Sequence, residues 1–153
     1  MESRINFLEK GQNAIKTLFP IGGYLAKSPL GKPLLDLVYF RVSQINGCAF
    51  CLDMHSKDLR ATGESEQRLY TLDAWHDAPF YNDRERAALA WAEAVTKITN
   101  GSISDEVYQT ARKQFSEEEL IDLTLAVTTI NTYNRINIAF RPLAGTYQVG
   151  QFS

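Results

Sequence analysis

The segment SEEELIDLTLAVTTINTYNRINIAF, residues 116–140, decides the fold class. Leu120, Leu123, Val127, Ile130, Asn134 and Ile138 recur at steps of three and four, the period of a helix face and not of a strand. Ser116 followed by Glu119 reads as a capping box, in which each side chain accepts a bond from the other's backbone amide. Ile121 and Leu125 lie off the main face, so this helix has a second apolar side to bury.

Outward from it, the same period repeats between helix stops. Ser104-Asp105-Glu106 opens the preceding helix. Asn82-Asp83-Arg84-Glu85 is a second capping box, and Ala87, Trp91, Ala94, Val95 and Ile98 keep helical spacing until Asn100-Gly101. A shorter helix spans Glu66 to Trp75 and ends before Asp77-Ala78-Pro79. Another starts near Cys48 and ends at Gly63, a natural residue after a helix C-cap. Pro33 suits the first turn of a helix whose stripe of Leu34, Leu37, Val38, Arg41, Val42 and Ile45 runs to Asn46-Gly47. Ile5, Leu8, Ile15 and Leu18 mark a first helix that stops before Pro20-Ile21-Gly22-Gly23. Sustained alternation is absent. The expectation is an all-α chain, one compact helical domain over residues 1–153 with about six to seven helices.

A net charge of −2 argues against nucleic acid or an acidic membrane as the main partner. No apolar run approaches the ~20 residues that span a bilayer, and Met1-Glu2-Ser3-Arg4 lacks a signal-peptide core. The expected compartment is the cytoplasm.

Chemistry concentrates in Cys48-Ala49-Phe50-Cys51-Leu52-Asp53-Met54-His55, which holds both cysteines and one of the two histidines. On a helix Cys48, Cys51 and His55 share a stripe, so two thiols one turn apart face an imidazole one turn further on. Three readings compete. Buried cysteines can serve as small hydrophobes. Zinc needs four ligands, and neither a second CxxC nor an HxxxH supplies them, while nothing places His76 near. Thiol–disulfide redox is the reading preferred here, with no metal and no cofactor, because a CxxC in a reducing compartment is catalytic more often than structural. From the residues alone the order of the thiols stays open. Cys48 lies at the helix start, where the dipole favours a thiolate; Cys51 lies four residues from His55, which can take its proton.

Several neighbours have plainer roles. Asp36 follows Pro33 by three residues and suits a helix-dipole partner. Asp53 lies off the stripe and is expected in solvent. Asn131, Asn134 and Asn137 read as buried amides serving backbone groups or a subunit contact. Tyr24, Tyr39, Phe40 and Phe50 read as core.

The stretches LLDLVYFRVSQINGCAFCLDMHSKDLRATGESEQRLYTLDAW, RERAALAWAEAVTKIT and EEELIDLTLAVTTINTYNRI, covering roughly Leu34 to Phe140, resemble the AhpD-like alkylhydroperoxidase branch of the carboxymuconolactone decarboxylase family. The resemblance implies an all-helical homo-oligomer that reduces hydroperoxides and is recycled by a dithiol or thioredoxin-like reductant. It implies that Cys51 attacks the peroxide, Cys48 resolves the product as a disulfide, and His55 belongs to a proton relay. Asp36 stands where that relay has a glutamate, and Phe50 where the best-studied members have a further histidine. Two alternatives remain: a thiol–disulfide redox protein or sensor without efficient peroxidase activity, and a non-redox lactone decarboxylase or scaffold. Decarboxylase members generally lack the cysteine pair, so its presence argues against the second.

Overall fold

Among the residues that the computed structural model describes, 2–98 and 101–152, all regular structure is helical. The elements run α1 (Phe7–Lys10), α2 (Gln12–Ile15), α3 (Phe19–Leu25), α4 (Lys32–Asn46), α5 (Ala49–Ala61), α6 (Glu66–Thr71), α7 (Asp83–Thr96), α8 (Asp105–Gln114) and α9 (Glu117–Phe140), with 3₁₀ turns at Lys16–Leu18 and Leu72–Ala74. Both expected capping boxes form, Asn82 with Glu85 and Ser116 with Glu119. The stop expected at Asn100-Gly101 falls partly on residues 99 and 100, outside the described residues; α7 ends at Thr96.

Helix α4 is the centre of the packing and touches α5, α7 and α9. Pro33 lies in its first turn, where a missing N–H costs no helix bond. Gly47 ends it in the left-handed region, φ 68°. On one side Leu34, Leu35, Val38 and Val42 join Trp91 of α7 and Leu123, Val127 and Ile130 of α9. On the other, Leu37 and Phe40 join Leu59, Leu69, Leu72, Trp75 and Leu89. Each such side chain removed from water contributes roughly 1.5–3 kcal/mol, so a helix with two apolar faces is held from both sides.

The N-terminal segment departs from the sequence expectation. The chain is interrupted at Gly11, and α3 runs through Pro20-Ile21-Gly22-Gly23 where a stop was expected. Proline in a first turn starts a helix, and the two glycines weaken helix without forbidding it. Of the expected apolar stripe Ile15 is buried, while Ile5 and Leu8 are exposed, so no continuous burial holds one long helix. Tyr24 is likewise not core. It is 53% exposed, and its hydroxyl donates to Asp122 Oδ1 at 2.8 Å while Ser28 Oγ donates to Oδ2 at 2.5 Å. These bonds tie α3 and its C-terminal turn to α9.

Beyond α9 the chain turns at Arg141, φ 56°, and residues 143–152 return across the outer face of α5. The Gly145 amide donates to Asp53 Oδ2 at 2.9 Å, Lys57 Nζ to the Tyr147 carbonyl at 3.0 Å, and the Tyr147 hydroxyl to Asp58 Oδ1 at 2.7 Å. Asp53 therefore anchors this tail instead of standing free in solvent. Among the described residues no helix is long and apolar enough to cross a membrane.

Candidate functional site

Gly47 lets the chain leave α4 and start α5 within two residues, which sets Cys48 at the N-cap of α5. Cys48 is extended, φ −83° and ψ 95°, and its sulfur accepts the Cys51 amide at 3.4 Å, the place a serine or aspartate oxygen usually fills. Cys48 and Cys51 are bonded, S–S 2.14 Å and Cα–Cα 5.3 Å. Both are withdrawn from solvent, 1% and 0% exposed. The start of the helix puts the Cys48 sulfur against a backbone N–H, where negative charge is favoured.

A run of amides descends α9 toward this pair. Asn131 Nδ2 donates to Thr96 Oγ1 at 3.0 Å, and Asn46 Nδ2 donates to Asn131 Oδ1 at 3.0 Å and to Asn134 Oδ1 at 2.9 Å. Asn134 Nδ2 donates to Ser43 Oγ at 3.0 Å, which fastens α9 to α4. Both asparagines have satisfied partners, with Asn134 buried as expected and Asn131 only half-buried. Asn137 does not: its Nδ2 donates to Cys51 Sγ at 3.3 Å and its buried Oδ1 has no partner. The sequence offered Asn137 as a buried amide but held no sign that it reaches sulfur, since Cys51 is 86 residues away.

His55 lies one turn beyond Cys51 on α5, buried, with its ring 5.7 Å from that of Tyr39 and Nε2 unpartnered. Burial, helped by the positive charge of Lys32, pushes its pKa from 6.5 down to about 4. At neutral pH it is an uncharged imidazole with an open nitrogen. Asp36 is buried on α4, and its carboxylate takes a 2.5 Å bond from Lys32 Nζ, not from His55. Burial raises its pKa, and Lys32 opposes that rise. Lys32 thus touches Asp36 directly and acts on His55 through its charge, although only an i, i+4 spacing to Asp36 marked it in the sequence. His76 belongs elsewhere, stacked on Trp75 beside Glu93. Among the described residues no three of His, Cys, Asp and Glu gather as a metal would require.

A model of the Carboxymuconolactone decarboxylase family matches residues 14–94. The chain belongs to that family. The chain is similar to the uncharacterized protein YdfG of Bacillus subtilis (strain 168), 40% identical over 139 residues that cover 91% of this chain and 95% of that one. It is also similar to a crystal structure from Agrobacterium tumefaciens, a protein of unknown function and candidate antioxidant defence protein AhpD. That match has TM-score 0.90 and 39% identity, and covers 95% of this chain and 100% of that one. A structure described as the alkylhydroperoxidase AhpD core, an uncharacterized peroxidase-related protein from Ralstonia eutropha JMP134, matches with TM-score 0.74 and 20% identity. It covers 86% of this chain and 72% of that one, and bears on the fold alone. This member of the carboxymuconolactone decarboxylase family therefore has an AhpD-like all-α fold, with a bonded Cys48–Cys51 pair at the head of α5.

Proposed function

We propose that this protein is a thiol-dependent peroxidase that reduces hydroperoxides through a Cys48–Cys51 dithiol/disulfide cycle. The observation that carries the reading is the bonded pair at the head of α5 with a buried, uncharged His55 one turn on. In the reduced protein the Cys51 thiol gives its proton to His55 and the thiolate attacks the terminal peroxide oxygen. The O–O bond breaks, Cys51 becomes a sulfenic acid, and the alkoxide leaves as alcohol with the proton returned by His55. Cys48 then attacks the sulfenic sulfur, water leaves, and the disulfide is the product. An external dithiol or thioredoxin-like protein reduces that disulfide by exchange, leaves as its own disulfide, and restores the two electrons that the protein gave to the peroxide.

Asp36 is assigned to the proton relay with His55. Lys32 supports it as a connection, since its ammonium bonds Asp36, its charge acts on His55, and its own side chain is 65% exposed to water. The cycle belongs in a reducing compartment, where a dithiol reopens the bond, and in a homo-oligomer that covers the apolar faces left outside. A thiol–disulfide carrier or sensor is the second reading, favoured by the bonding of Asp36 to Lys32 and not to His55.

Mixing the reduced protein with hydroperoxide in a stopped-flow instrument tests the proposal. Rapid consumption with loss of two thiols is expected, and no consumption leaves the carrier reading. Cys51→Ser should abolish turnover with no sulfenic acid to trap, and Cys48→Ser should stall as the Cys51 sulfenic acid, captured by dimedone. His55→Ala should slow the first attack by roughly 10²–10⁴-fold. A dimedone adduct on Cys48 in the Cys51→Ser protein, with none on Cys51 in the Cys48→Ser protein, would reverse the two roles.

A further inference from the structure

Among the described residues two buried side-chain polar atoms lack a partner, and both belong to residues around Cys51: His55 Nε2 and Asn137 Oδ1. Buried polar groups are normally satisfied, so two orphans, one on a residue bonded to Cys51 and one on a residue a helical turn beyond it, mark a place where function outweighs bonding. His55 is already assigned a proton role. Asn137 is not, and it reaches Cys51 Sγ from another helix.

We infer that Asn137 is a catalytic residue, whose amide N–H holds Cys51 as the attacking thiolate and thereby fixes the order of the two cysteines. The inference rests on the peroxidase reading above and deepens it. An amide has a donor end and an acceptor end, and here the donor faces sulfur while the acceptor is left unpaired. The reverse orientation would set a carbonyl against a developing negative charge. Asn134, one turn earlier, shows what a structural amide does on this helix, since both of its ends are bonded. Asn137 forgoes that satisfaction.

The bond discriminates between protonation states. A thiolate is a far stronger acceptor than a thiol or a disulfide sulfur, so a fixed donor stabilises the ionised form and lowers the thiol pKa. Among the described residues Cys48 Sγ accepts the backbone amide of Cys51, a donor supplied by the helix start itself, while Cys51 Sγ accepts the Asn137 side-chain amide. The helix start therefore serves Cys48, whereas Asn137 and His55 serve Cys51. That asymmetry resolves the competition between the thiols that helix position leaves open. Once Cys51 has become a sulfenic acid its charge is gone, the hold of the amide weakens, and the sulfur is free for attack by Cys48.

The test is a thiol titration that needs no peroxide. In a Cys48→Ser background only Cys51 titrates, and its pKa is read from the pH dependence of alkylation or of thiolate absorbance. Adding Asn137→Leu should raise that pKa by about one to two pH units, the loss of one hydrogen bond to a charged group. In a Cys51→Ser background the same change should leave Cys48 within a few tenths of a unit. If the leucine variant does not fold, as judged by circular dichroism, Asn137→Ala removes the donor and should give the same shift. An unmoved Cys51 pKa, or an equal rise at Cys48, overturns the assignment. Brisk hydroperoxide consumption with an unmoved pKa would refute Asn137 and leave the peroxidase standing. A clear shift without any consumption would refute the peroxidase reading and keep the hold on Cys51.

Discussion

His55 ties the candidate site to pH. In the folded chain its imidazole binds a proton only near pH 4, whereas in the unfolded chain it does so near 6.5. Between those values the unfolded state holds the extra proton, so stability falls as pH drops through the window, by roughly 3 kcal/mol in all. Asp36, with its raised pKa, works in the opposite direction and is common to both proteins compared below. Urea unfolding of the oxidised protein at pH 7, 5.5 and 4.5 should show His55→Gln losing less stability on acidification than the parent. Equal losses would show that the buried imidazole is not the cause. At this scale the sequence was informative wherever partners share a helix. Cys48, Cys51 and His55 could be grouped by spacing because all three belong to α5 and its N-cap. Asn137 could not be told from Asn131 and Asn134, since the difference lies in what α5 presents to α9 across the fold.

The helices themselves were legible where local chemistry decides them. Asn82 and Ser116 cap their helices through bonds made within three residues, and sequence is sufficient for that. The N-terminal segment was misread because its outcome depends on burial, and Ile5 and Leu8 find no cover. The residues after Phe140 carry no helical period, so their return onto Asp53, Lys57 and Asp58 was invisible. Among the joints, Gly47 matters most, since it turns the chain from α4 into the cysteine helix at φ 68° and ψ 34°. A β-carbon there would meet no atom within 4 Å, so its cost is conformational and not steric crowding by neighbours. Gly47→Ala should therefore destabilise the protein by about 1 kcal/mol, seen as a lower urea midpoint with an unchanged slope. A loss below a few tenths of a kcal/mol would show that the backbone relaxes out of the left-handed region.

Over the whole molecule, the packing leaves apolar surface in more than one place. Phe19 and Tyr24 stand exposed on α3, and a groove of about 590 Å³ between α7, α8 and α9 is lined by Trp91, Tyr108, Leu120, Ile121 and Leu125. Surface of this kind fits the homo-oligomer included in the proposal. Light scattering at micromolar concentration should give a multiple of 17.3 kDa; the mass of one chain would exclude it. The cysteine cross-link itself joins residues only three apart. A loop so short removes little disorder from the unfolded chain, about 2 kcal/mol on a chain-entropy basis, and the two apolar clusters flanking α4 do not depend on it. Opening the bond therefore costs up to that amount, roughly a 30-fold larger unfolded fraction, while leaving the architecture in place. In the proposed cycle the disulfide form is thus the one better protected from proteolysis, and the form waiting for peroxide is the more exposed.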